Sequence, residues 1–199
     1  SHTASLVTRP FAADYARSVV TPDTRPDDAS GAPVPSTWDP RALPDLSGRT
    51  YLVTGSNAGL GYFACEQLAA AGAHVIMSGR NPNRIAAGKA ALRRRNPEAS
   101  VESLLLDTSN LGSVRAAAAT VRSRGRLDGL LLNAGIVHPP AERKTTSDNH
   151  EVVFATNVLG HFALAGELLT VLARTSRSYG DAARMVWLGS MSSSMWRYD

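Results

Sequence analysis

The sequence predicts an α/β protein: a doubly wound parallel sheet behind a proline-rich N-terminal arm. Three observations carry this. From Arg49 onward, apolar runs of strand length alternate with longer segments of helix length. The breaks between them hold glycine, asparagine and proline. The first apolar run passes directly into a glycine-rich turn that opens a helix, the arrangement of a nucleotide-binding βα unit.

Residues 1–48 differ from the rest. Phe11 to Val20 carries Phe11, Tyr15, Val19 and Val20 near helical spacing, which predicts a short helix. Thr21 to Asp45 then contains Pro22, Pro26, Pro33, Pro35, Pro40 and Pro44, too many for a helix or an inner strand. The stretch is expected to be a linker or surface arm anchored by Trp38 and Leu46.

The folded domain is expected over 49–199. Thr50 to Val53 is its first strand and Leu60 to Ala71 a helix, closed by Gly72. Ala73 to Ser78 is the second strand. Asn81-Pro82 starts the next helix, with proline in its first turn, and it runs to Arg95. Val101 to Leu106 is a third strand and Leu111 to Arg124 a third helix. Leu127 to Leu132 is a continuous apolar run, as a strand covered on both faces requires. Glu151 to Arg174 makes a long helix and Met185 to Leu188 a fifth strand. This alternation demands parallel strands joined by right-handed crossovers.

Composition narrows the function classes. Hydrophobic residues make up 43% and charged residues 19%, enough for a real core and unlike a disordered chain. No run approaches the roughly 20 uninterrupted apolar residues of a membrane span. The single cysteine, Cys65, cannot form an internal disulfide, so a reducing cytoplasmic location is expected. The net charge of +4 permits a nucleic-acid partner, but the basic residues are scattered. Their densest cluster, Arg93-Arg94-Arg95, ends a helix, where cations suit the dipole anyway. No nucleic-acid partner and no metal site are expected.

The first turn reads Thr54-Gly55-Ser56-Asn57-Ala58-Gly59-Leu60-Gly61. Glycines here let the backbone turn sharply and let a pyrophosphate approach the amides at the helix start. Gly61 allows the helix to pack close to the strand. At the end of the second strand, where an NAD-binding domain usually carries an acid, the sequence is Met77-Ser78-Gly79-Arg80-Asn81. Arg80 is either a partner for a 2′-phosphate or a solvated surface arginine. Asp107 stands at the carboxyl end of the third strand, where such sheets bind ligands, or it caps the helix beginning near Asn110.

The turn's spacing, T-G-x-x-x-G-x-G, resembles the nucleotide loop of the short-chain dehydrogenases/reductases. Further motifs follow in that family's order: Leu106-Asp107-Thr108, Asn133-Ala134-Gly135, Asn157 and Ser190. Thr146 to Glu151 and Asn157-Val158-Leu159-Gly160-His161-Phe162 resemble the retinol-dehydrogenase-like branch, and Leu43 to Arg49 its actinobacterial members. The resemblance covers 44–199 and implies a Rossmann fold of which five of the usual seven strands are present.

The resemblance also implies site roles. Gly55, Ser56, Asn57, Gly59, Leu60 and Gly61 would hold the phosphates, with Ser56, Asn57 and Arg80 favouring NADP over NAD. Asp107, beside Thr108, would accept from the adenine amino group, and Asn133, Ala134 and Gly135 would line the adenine ribose. Ser190 would polarise a substrate carbonyl and Asn157 would hold a relay water. Ser190 lies among four serines in 189–195, and Asn157 could equally be a satisfied polar group between helix and sheet. His161, one turn after Asn157, is read as a packing position. The implied partner is a small-molecule carbonyl or alcohol, and the family's habit of associating through helices implies a homo-oligomer.

One family element is missing. No Tyr-x-x-x-Lys occurs; Lys89 and Lys144 are the only lysines, and Tyr198 follows Ser190 too closely. The expectation is an oxidoreductase whose tyrosine and lysine lie beyond Asp199. The alternative is a non-catalytic NADP-binding module that ends there.

Overall fold

The structure is a computed structural model that describes residues 43–136 and 142–189. The expected helix over 11–20, the anchor Trp38 and the candidate Ser190 lie outside the described residues. In chain order the elements are β1 (Thr50–Val53), α1 (Gly59–Ala70), β2 (His74–Gly79), α2 (Pro82–Arg95), β3 (Val101–Leu105), α3 (Leu111–Ser123), β4 (Gly129–Leu132), α4 (Val152–Tyr179) and β5 (Arg184–Trp187). The five strands form one parallel sheet in the order β3-β2-β1-β4-β5.

That order explains the two cores. The chain winds outward from β1 through β2 to β3, then returns to the other side of β1 for β4 and β5. Right-handed crossovers therefore put α1 and α2 on one face and α3 and α4 on the other. Strand side chains alternate to match. Val53, Val75 and Met77 meet Cys65, Ile85 and Leu92 on the first face. Leu52, Ile76 and Leu130 meet Val114, Val121, Leu164 and Leu168 on the second. Leu46 is also buried in the first core, and its N–H donates to Ala71 O at 2.7 Å.

Local chemistry sets the helix ends. Asn81 Oδ1 accepts from Arg84 N–H at 3.0 Å and caps α2, with Pro82 in the first turn. Asn110 Oδ1 accepts from Ser113 N–H at 2.8 Å and caps α3, so the cap belongs to Asn110 and not to Asp107. Both oxygens of Glu151 accept N–H bonds from Val153 and Phe154 at the start of α4, and these hold its carboxyl below the usual range.

Two features of the last helix differ from the sequence expectation. α4 is not uniform: Ala155–Leu159 is a π-turn, with Gly160 N–H reaching back five residues to Ala155 O. The helix also runs on to Tyr179, where Gly180 at φ 76 ends it. α4 is, among the described residues, the one helix long and apolar enough to cross a membrane, with a mean hydropathy of 1.5. Its Leu164, Leu168, Val171 and Leu172 are nevertheless buried in the second core. Among the described residues β5 is an edge strand, and all four of its residues are exposed.

Cys65 is fully buried on α1, and burial pushes its thiol up to about 12. The thiolate is the reactive form. A disulfide reagent at mildly alkaline pH should therefore leave the folded protein unlabelled and label it once on denaturation. Rapid labelling of folded protein would contradict this packing.

Candidate active site at the strand ends

The strand order reverses between β1 and β4, so the loops leaving their carboxyl ends diverge and open a crevice. A cavity of about 580 Å³ lies there. It is lined by the turn after β1, the ends of β2 and β3, the loop after β4, and Thr156 of the π-turn. A groove of similar size, about 590 Å³, runs between α3 and α4 past Arg115, Leu159 and Phe162. It lies on the outer helical layer, away from the strand ends, so the site is assigned to the crevice.

The turn after β1 is shaped by what glycine permits. Gly55 has φ +65, and a Cβ there would stand 2.8 Å from Ala134 Cα. Gly61 does not line the cavity; a Cβ on it would stand 2.5 Å from Asn133 Nδ2 and 2.7 Å from Gly55 O. Its role is to let α1 pack against the turn. Ala58 precedes α1 without any side-chain cap, and Ala58, Gly59 and Leu60 face the cavity. The first N–H groups of a 12-residue helix are thus offered to a bound anion. A pyrophosphate fits this cradle: the glycines admit it and no acidic side chain stands in the first turn.

Ser56 corrects the sequence expectation. Its side chain is fully buried, and its hydroxyl donates to Ser78 O at 3.2 Å, as does its N–H at 3.0 Å. Ser78 Oγ in turn donates to Val53 O at 3.0 Å. The residue after Gly55 points down between β1 and β2, beyond the end of their ladder, and ties the strands together. It is not available to a phosphate. Asn57, the next residue, lines the cavity.

Arg80 and Arg84 both line the cavity beyond the end of β2. Sequence reasoning missed Arg84. The available signal was its position four residues on, in the first turn of α2, which returns it to the side of Arg80. Asp107 lines the cavity with Thr108. Its Oδ1 accepts from Ser109 N–H at 2.9 Å and Ser109 Oγ at 2.7 Å. Among the described residues its Oδ2 has no partner and remains an acceptor.

The loop after β4 is gripped at both ends. Thr54 Oγ1, at the end of β1, accepts from Asn133 N–H and Ala134 N–H, each at 2.9 Å. Asn133 Nδ2 returns the contact to Thr54 O at 2.9 Å. At the far end, Asn157 Oδ1 accepts from Ile136 N–H at 2.9 Å and Asn157 Nδ2 donates to Ile136 O at 3.0 Å. Asn133, Ala134, Gly135 and Ile136 all line the cavity. The Asn157 amide is thus engaged with this backbone through one accepted and one donated bond. Asn157 sits within the π-turn, for which no local pattern stands beyond an asparagine placed within a long helix.

Residues 49–197 match the family model described as short chain dehydrogenase. A short-chain dehydrogenase/reductase of Aspergillus calidoustus, drtF, is 40% identical over 148 residues, 74% of this chain and 46% of that protein. A polyprenol dehydrogenase of Danio rerio is 33% identical over 149 residues, again 74% and 46% of the two chains. The solved Pseudomonas aeruginosa RhlG/NADP active-site complex is similar at TM-score 0.58 and 29% identity, over 71% of this chain and 54% of that one. The chain spans about half the length of the curated relatives it matches.

Proposed function

This chain belongs to the short-chain dehydrogenase/reductase family, and from that premise we propose that it serves hydride transfer between NADP(H) and a carbonyl/alcohol pair on an apolar small molecule. When bound, the nicotinamide supplies or accepts the hydride. The α1 amides would hold the pyrophosphate, Asp107 would accept from adenine, and Asn133 to Gly135 would line the ribose. Ser190, which lies outside the described residues, would donate to the substrate oxygen. The proton-transferring Tyr-x-x-x-Lys is absent from these 199 residues. This reading assigns it to the part of the relatives' length that the chain does not span. The name of the Danio rerio polyprenol dehydrogenase supports an apolar alcohol as the substrate class.

The choice of NADP rests on one observation: two guanidinium groups, Arg80 and Arg84, line the cavity beyond β2, where Met77 to Asn81 contains no carboxylate. Guanidinium matches a phosphate in charge and in fork geometry, whereas a ribose 2′-hydroxyl needs an acceptor. Replacing Arg80 by alanine should weaken NADP⁺ binding roughly 10–100-fold, the range for one charge-assisted hydrogen bond. NAD⁺ binding should barely change. Arg84→Ala should act in the same direction, and the double variant should bind both nucleotides alike. Titration of each variant with both nucleotides measures this. Equal losses for NADP⁺ and NAD⁺ would refute the 2′-phosphate assignment.

A further inference from the structure

His161 lies between the two grips on the loop after β4. It is buried at 1% exposure on α4, one turn beyond Asn157. Its Nε2 is 3.0 Å from Thr54 Oγ1 and its Nδ1 is 3.3 Å from Asn157 O. Its ring meets Trp187 of β5 edge-on, with centroids 5.9 Å apart and planes at 89°. A packing role alone does not account for two ring nitrogens each facing a specific polar atom.

The direction of every bond in this chain is fixed by counting. A hydroxyl oxygen has two lone pairs and one proton. Both lone pairs of Thr54 are engaged by the N–H groups of Asn133 and Ala134. Toward Nε2 the hydroxyl therefore donates; its other acceptor, Leu131 O, is farther away at 3.4 Å. Nε2 is then bare, and a neutral ring carries its proton on Nδ1. The atom facing Nδ1 is a carbonyl oxygen, which can only accept. The two ends demand the same tautomer independently. A charged ring would turn a second donor toward an oxygen with no lone pair left. Burial, which holds the His161 pKa below its ordinary value, acts in the same sense.

We propose that His161 is a positioning residue: in its Nδ1–H form it joins the Thr54 grip on Asn133 and Ala134 to the Asn157 grip on Ile136, and so fixes the loop that faces the dinucleotide. The proposal rests on the dinucleotide reading of the cavity given above. It assigns His161 no proton transfer. Its contribution is to set the hydroxyl rotor of Thr54 and the position of the Asn157 carbonyl, and Trp187 fixes the plane of its ring.

The test uses the full chain with ¹⁵N-labelled histidine, with the His161 signals identified by their loss in His161→Asn. In wild type without nucleotide, Nδ1 should resonate as a protonated nitrogen and Nε2 as a bare one. NADPH should shift the Nε2 signal in wild type and in Thr54→Ser, and leave it unmoved in Thr54→Val. His161→Phe should weaken NADPH binding about tenfold, the size of one or two hydrogen bonds. His161→Asn keeps a donor near Asn157 O and should fall between the two. Because Thr54 and His161 act as a unit, Thr54→Val combined with His161→Phe should bind no more weakly than the poorer single variant. An Nε2–H tautomer, fully additive losses, or wild-type affinity in folded His161→Phe would each overturn the proposal. Should a variant fail to fold, the wild-type tautomer still decides. A wild-type chain that binds no NADPH would overturn the dinucleotide reading and the use given to His161, while the tautomer would separately test the bond chain.

Discussion

Replacing Gly160 with alanine should destabilise the protein and weaken NADPH binding, although it lies in a helix. Gly160 has φ −64 and ψ −38, a conformation any residue adopts. By helix propensity alone, alanine should stabilise such a position by about 1 kcal/mol. Packing reverses the sign. A Cβ on Gly160 would overlap the carbonyl oxygen of Thr108, a backbone group that cannot swing aside. Forcing one methyl into so close a contact costs about 1–3 kcal/mol or more, which exceeds the propensity gain. A net loss of about 2 kcal/mol is expected, lowering Tm by about 4–8 °C in a chain of this size. Thr108 also lines the cavity, so its displacement should weaken NADPH binding at least severalfold. Gly166, farther along α4, is the internal control, because a Cβ there meets nothing within 4 Å. Gly166→Ala should raise stability by about 0.5–1 kcal/mol. Thermal melts of the pair should move in opposite directions, and a higher Tm for Gly160→Ala would show that the close approach to Thr108 is wrong.

Asp128→Ala should cost more stability while sparing the site. Asp128 is 5% exposed and stands just before β4, at the opposite end of the sheet from the crevice. Its Oδ2 accepts from Thr50 N–H at 2.8 Å, and Arg126 holds both oxygens at 2.7 and 2.8 Å. The Arg126 guanidinium lies 3.8 Å over the Tyr179 ring, which ties this corner to the end of α4. Alanine leaves the Thr50 N–H without its partner and the cation without its counter-charge. Breaking a buried pair typically costs about 3–5 kcal/mol. The Arg126 side chain is 23% exposed and can turn toward water, so the lower end, about 3 kcal/mol, is expected. That corresponds to a Tm lower by about 6–12 °C. Asp128→Asn keeps an acceptor for Thr50 and should lose less. NADPH affinity measured well below Tm should be unchanged in both variants. A coupled loss of affinity would mean that this corner communicates with the crevice.

Much of the site was legible in the sequence because its parts are local. Gly55, Gly59 and Leu60 lie within one turn whose spacing states its purpose, and Arg80 stands where a carboxylate is missing. The features that were not legible depend on which way a side chain turns or on what lies across the fold. Ser56 and Asn57 are adjacent polar residues in the same turn, yet one points into the sheet and the other into the cavity. The Ser56 hydroxyl finds its acceptor in the Ser78 carbonyl on β2, 22 residues away. His161 reads as a packing position through the family resemblance alone, and its defining partner, Thr54, is 107 residues away.

The sequence by itself determined the alternation of strands and helices, the glycine turn, the helix start at Asn81-Pro82, and the cationic end of β2. Each follows from backbone sterics, periodicity or hydrogen bonding within a few residues. Only the tertiary structure decided the strand order that opens the crevice, the π-turn that contains Asn157, and the bonds that join Asn157, His161 and Thr54. These depend on polar groups from distant segments meeting in a buried space. There each donor must find an acceptor, and no local pattern specifies which one.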